Sequence, residues 1–154
     1  MKQRLRIEQL LGRVQAAWDD ARRSRAMPRR SDIDPVKLGA ALQYASLLDV
    51  VPGDPVDFRY RIFGQHLIKG YGIDLTGQLH TAIADRSRPA WPYYEAYVSC
   101  VTTKLPQALD IQTRNRKKLV MHLQGKVWPL SDDGTTVTGI LGAATYFVPA
   151  ALVS

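Results

Sequence analysis

The sequence predicts an α+β fold, not a doubly wound parallel sheet, and three observations carry that prediction. Residues 44–63 read as two short β-rich runs around a Pro/Gly turn, the pattern of an antiparallel hairpin. A second pair of alternating runs, Leu119–Tyr146, brackets Ser131-Asp132-Asp133-Gly134 at the far end of the chain. Helical patterning fills the space between them. Hairpins at both ends with helices collected between belong to the α+β class.

The elements follow in order. Residues 2–25 contain no Pro, and Ile7, Leu10, Leu11, Val14, Ala17, Trp18 and Ala21 recur at steps of three and four, one stripe of an amphipathic helix. About two heptads are too few to specify an autonomous coiled coil, so the stripe needs a cover, either the domain's own sheet or a second copy. Pro28 stops the helix and opens a connector to Pro35. Asp34-Pro35 supplies an N-cap followed by Pro at the first helical position, starting a short helix through about Leu42. Tyr44 to Val51 is continuously apolar and β-rich, Pro52-Gly53-Asp54-Pro55 turns the chain, and Asp57–Phe63 alternates strictly, with Phe58, Tyr60 and Ile62 inward.

Between Gly64 and Asp85, Gly70, Gly72 and Gly77 punctuate short helical pieces. Ser87–Lys104 holds the longest helix of the globular part, with Pro89 and Pro92 tolerated near its start, where amides lack intrahelical acceptors. Trp91, Tyr94, Val98 and Val101 share one flank, and Tyr97 sits beside them. Pro106–Gln112 is a third strand and Arg114–Lys118 its turn. In the closing hairpin Leu119, Met121, Leu123 and Val127 fall on one side, Asp-Gly gives the positive φ of a tight turn, and Pro129, without an amide donor, should end regular pairing.

At 154 residues the chain suits one domain with an extension. The expected division is a basic amphipathic helix over 1–27, a domain over 28–148 and a tail over 149–154. No apolar run approaches the roughly 20 residues that cross a bilayer, and no secretory signal is present. Cys100 is single, which forbids an internal disulfide and suits a reducing, cytoplasmic setting. Net charge is +7, of which residues 1–30 hold nine cations against three acids. Such an arm suits nucleic acid, anionic lipid or an acidic protein, or forms a solvated helix face.

The chemistry-bearing residues are few. His66, His80 and His122 have no metal-binding spacing to one another, to Cys100 or to an acid, so no metal site is expected. No Ser-His-Asp set, nucleophile elbow or paired carboxylates appear, and Gly70-Tyr71-Gly72 lacks the spacing and Lys of a phosphate loop, so no enzyme is expected. Arg114-Asn115-Arg116-Lys117-Lys118 carries four cations in five residues but no interleaved aromatics, which argues against sequence-specific nucleic-acid binding.

Residues 28–35, Asp57–Gly64, Tyr71–Gly77 and Trp128–Gly134 together resemble the bacterial PAS-like family of small single-domain proteins, across about residues 28–146. The resemblance implies a five-stranded antiparallel sheet with helices across one face. It also implies a sensory or regulatory protein that binds a small ligand or a partner and signals in trans, because residues 147–154 leave no room for an output domain. In such a fold, Phe58, Tyr60, Ile62, Leu67, Tyr71, Trp91, Tyr94, Val98, Met121 and Leu123 would line a ligand pocket, or pack together as plain core. Ile7, Leu10, Leu11, Val14 and Trp18 would pack the helix against the sheet or against a homodimer mate. The Asn-Cys-Arg motif of flavin photoreceptors is absent, so flavin photochemistry is not expected, and His80 is the best-placed residue for an axial haem ligand. The alternatives are a ligand-free interaction adaptor, and a nucleic-acid or membrane-surface binder working through the basic arm.

Overall fold

A computed structural model describes residues 2–83 and 91–147, and the side chains of those residues except 2–6 and 91. The expected start of the long helix at Ser87 and the tail 149–154 lie outside the described residues. Five strands, β1 (Ala45–Val51), β2 (Asp57–Phe63), β3 (Gln107–Arg114), β4 (Val120–Leu130) and β5 (Gly139–Phe147), form one antiparallel sheet in the order β2-β1-β5-β4-β3. The joint between the two hairpins is β1 against β5, with Ala45 opposite Ala143 and Asp49 opposite Gly139. The last strand therefore closes the sheet beside the first.

Period-two alternation divides the sheet into two faces. On the inner face Ser46, Leu48, Tyr60, Leu109, Leu123, Val127, Gly142 and Ala144 meet α3 (Gln65–Tyr71), α4 (His80–Ile83) and α5 (Trp91–Thr103). The outer face carries α1 (Lys2–Arg22), laid over β4 and β5. Its stripe buries Val14, Ala17 and Trp18 in the same apolar cluster as Trp128 and Leu141. Three directional bonds fix the docking: Trp18 Nε1 donates to the Pro129 carbonyl at 2.9 Å, and Gln15 Oε1 accepts from Trp128 Nε1 and from Lys126 Nζ, both at 2.8 Å. The connector is also part of the packing, since Met27 and Pro28 are buried and the Pro28 carbonyl accepts from Ser131 N at 2.9 Å. The Asp34 side chain caps α2 (Pro35–Leu38) at Val36 N, and the chain continues as a 3-10 helix over Gly39–Tyr44.

Four local expectations are corrected. Ile62 does not face inward: a bulge in the β1–β2 register puts it opposite Leu47, 50% exposed, and Phe63 turns in instead. Leu119 is also exposed, because it precedes β4 and belongs to the turn. Pro129 does not end pairing, which continues through Leu130 opposite Gly139. Leu130 O bonds Thr138 N, so the alternating peptide groups at Pro129 face the other way, past the end of β3 at Gln107↔Val127, where no amide is required. The Asp-Gly turn is not a two-residue one: residues 131–138 separate the strands, and Asp133 Oδ1 accepts from Thr135 N and Thr136 N.

Candidate functional site

The layer between the inner sheet face and α3–α5 is aromatic. Phe58, fully buried on β2, packs against Tyr94 and Tyr97 with ring centroids 5.8 and 5.2 Å apart. Tyr60 follows two residues on and shares its hydroxyl with His80 Nδ1 at 3.0 Å and Tyr97 Oη at 3.3 Å. His80, 1% exposed, stacks on Tyr94, and the Tyr94 hydroxyl donates to Val56 O at 2.6 Å. Burial pushes the Tyr60 hydroxyl well above the ordinary phenol value and Tyr97 up to about 12, so both are neutral hydrogen-bonding groups at any physiological pH.

Beside this network lies a cavity of about 60 Å³, lined by Tyr60, Phe63, His80, Tyr93, Tyr97 and Tyr146 among others. Gly142 keeps its floor open, because a Cβ there would meet Ser46 Oγ at 2.6 Å. Among the described residues one buried side-chain polar atom forms no well-shaped hydrogen bond, the Tyr93 hydroxyl near Tyr146 and Thr113. A water's share of liquid volume is about 30 Å³, so the cavity has room for roughly two waters. Haem and flavin do not fit it. His80, the candidate axial ligand, is held by Tyr60 and walled by the rings of Tyr93, Tyr94 and Tyr97.

The residues expected around a pocket separate into groups. Tyr60, Leu67, Tyr71 and Leu123 line the cavity. Phe58 and Tyr94 are core beside it, while Val98 and Met121 are half-buried away from it. Ile62 is outside, and the side chain of Trp91 lies outside the described residues. Sequence reasoning passed over Tyr93 and Tyr146 and gave Tyr97 only a neighbouring place. On α5 the described inward face is Tyr93, Tyr94, Tyr97 and Cys100; of the expected flank it includes Tyr94, while Val98 and Val101 are half-buried. Spacing alone could have offered 93, 97 and 100 as a second stripe. Cys100 is fully buried, and burial pushes its thiol up to about 12, which leaves it unreactive.

The helix stripe is largely covered by its own sheet. Ile7, Val14 and Trp18 are buried, whereas Leu10 and Leu11 remain half-buried. Three cations of the basic arm are paired locally: Arg22 with Asp19, Arg25 with Asp32 at 2.6 Å, and Arg30 with Asp49 at 3.1 Å. In the basic turn, Asn115 Nδ2 donates to Gly70 O and Arg116 N to Tyr71 O, so the tip is docked on the end of α3. His122 sits on the outer face, paired with Asp110. No group of three or more potential metal-binding side chains occurs among the described residues. No described helix is long and apolar enough to cross a membrane.

A PAS domain family profile matches residues 8–145. No curated protein matches the sequence. Among solved structures, the chain resembles a PAS domain of a Colwellia psychrerythraea protein, with TM-score 0.55 and 13% identity over 75% of this chain and 98% of that one. It also resembles the PAS domain of Bordetella pertussis BvgS, with TM-score 0.52 and 14% identity over 72% and 82% of the respective chains. A light-oxygen-voltage domain studied with a flavin analogue superposes with TM-score 0.55 at 15% identity, over 71% and 81%. Identities this low speak for the fold alone.

Proposed function

The chain belongs to the PAS domain family, and from that premise we propose that it is a non-catalytic sensory or regulatory module that signals in trans. The observation that carries the reading is the placement of α1. It rests on the outer face of β4 and β5, the strands whose inner face contributes Leu123, Val127, Gly142 and Tyr146 to the cavity. A change on either face is therefore felt through one strand thickness by the Trp18–Pro129 and Gln15–Trp128 bonds. A ligand or partner that favours one packing of α1 would shift the population of the two packings by its differential affinity.

The interior admits water or a species of two or three heavy atoms, so recognition of anything larger falls to the surface. That volume favours, as a second reading, an interaction adaptor with an essentially filled core. Leu10 and Leu11 are the part of the helix stripe left for a second copy in a homodimer. The cytosol is the proposed compartment, on the strength of a single cysteine held as a buried thiol.

Native mass spectrometry of complexes taken from cells that make the protein tests the reading. A reproducible assembly with one signalling protein, lost in Trp18→Ala and kept in Tyr93→Phe, is expected. Finding only the free chain or its homodimer, with all three proteins folded, would sink it.

A further inference from the structure

A second and much larger space lies on the other side of the sheet. A groove of about 770 Å³ runs between the first half of α1 and a rim made by the 3-10 helix of 39–44, the first turn of α3 and the end of β5. Its lining combines apolar Ile7, Leu10 and Ala41 with the Tyr44 ring and with polar Arg13, His66 and Thr145. Small-molecule sites typically occupy about 300–1,000 Å³, so the groove has the size that the interior cavity lacks.

Arg13 sets the chemistry. Arg22, Arg25, Arg30 and Arg61 each hold a carboxylate, whereas Arg13 has no hydrogen bond or ion pair among the described residues. Its position is nonetheless shaped. The guanidinium lies over Gly39, where an added Cβ would come within 3.2 Å of Nη1, and Gly39 has φ +52°, which disfavours any side chain there. Positive charge dominates this end of the molecule, since residues 2–13 hold Lys2, Arg4, Arg6 and Arg13 against Glu8 alone. Across the groove the His66 ring packs against Tyr44, tilted by 37° with centroids 4.3 Å apart, and shares a 3.0 Å hydrogen bond with Thr145 Oγ1. Burial and the nearby Lys69 lower the His66 pKa, so the ring contributes a flat neutral wall at neutral pH.

A planar, always-charged fork next to an apolar, partly aromatic trough matches one kind of molecule. We propose that this groove is a binding site for amphipathic carboxylates, with the head group on the Arg13 guanidinium and the apolar body along Ile7, Leu10, Ala41 and Tyr44. The inference goes beyond the signalling role and rests on the groove's own geometry.

Amide chemical-shift titration of the full chain tests it, with decanoate below its micelle concentration and 2-naphthoate as probes and decanol as the uncharged control. Saturable shifts at Ala40–Tyr44, His66 and Thr145 are expected with at least one carboxylate. Arg13→Gln should weaken that carboxylate at least tenfold while leaving decanol binding unchanged. Ala40→Trp, at an exposed position on the groove, should abolish both without lowering thermal stability. No saturable binding by either carboxylate, shifts centred elsewhere, or an Arg13→Gln affinity equal to wild type would each overturn the site.

Discussion

Trp18 stands where the outer helix meets the sheet, and its indole nitrogen is the group that makes the contact directional. Trp18→Phe keeps an aromatic ring but leaves the buried Pro129 carbonyl without its donor. A loss of about 1–3 kcal/mol in urea denaturation is expected. The cavity tyrosines should separate in the same assay. Tyr60→Phe takes from His80 Nδ1 the hydroxyl bonded to it and should cost about 1–2 kcal/mol. Tyr93→Phe removes a hydroxyl that has no well-shaped bond and should be neutral or stabilising by up to about 1 kcal/mol. His66 adds a pH dependence of known sign. Folding lowers its pKa through burial and Lys69, so the folded chain binds that proton less readily than the unfolded one. The contribution is complete above the ordinary value of about 6.5. It declines as pH falls through that value and stops changing below the lowered one. Thermal melts at stepped pH should show this decline in wild type and lack it in His66→Gln.

Among the elements, α1 and α5 show how far apolar periodicity reaches. For α1 the stripe Ile7, Val14, Ala17, Trp18 and Ala21 is the face that becomes buried, because polar residues occupy the rest of the helix and only one face can be covered. For α5 the pattern is ambiguous, since tyrosines, valines and Ala96 surround the helix and either of two stripes satisfies the spacing. Packing against Phe58 and Tyr60 selects Tyr93, Tyr94, Tyr97 and Cys100. The strands divide in the same way. Alternation identified β2, yet the bulge beside Leu47/Leu48 reverses its last residues and exchanges Ile62 for Phe63. Nothing local announces that bulge, which arises from pairing with β1. The half-buried Leu10 and Leu11 give α1 its own test. If they hold a second copy, Leu11→Glu should convert a dimer mass to a monomer mass by light scattering, with the circular dichroism spectrum unchanged.

In the whole molecule, one sheet serves two compartments of different size: a nearly filled aromatic interior under α3–α5 and an open groove beside α1. The α+β class, the strand count, the two hairpins and the amphipathic character of α1 were all written in local patterns of alternation, helical spacing and turn residues. Those signals depend only on near neighbours, so one sequence suffices to read them. Tertiary structure alone decided how the chain's own sheet lies against α1, how little space Phe58, Tyr60, Tyr97 and His80 leave among them, and that Arg13 lies over Gly39 with no carboxylate among the described residues. Volume and charge pairing are properties of side chains brought together from distant positions, and the spacing of residues along a chain carries no record of them.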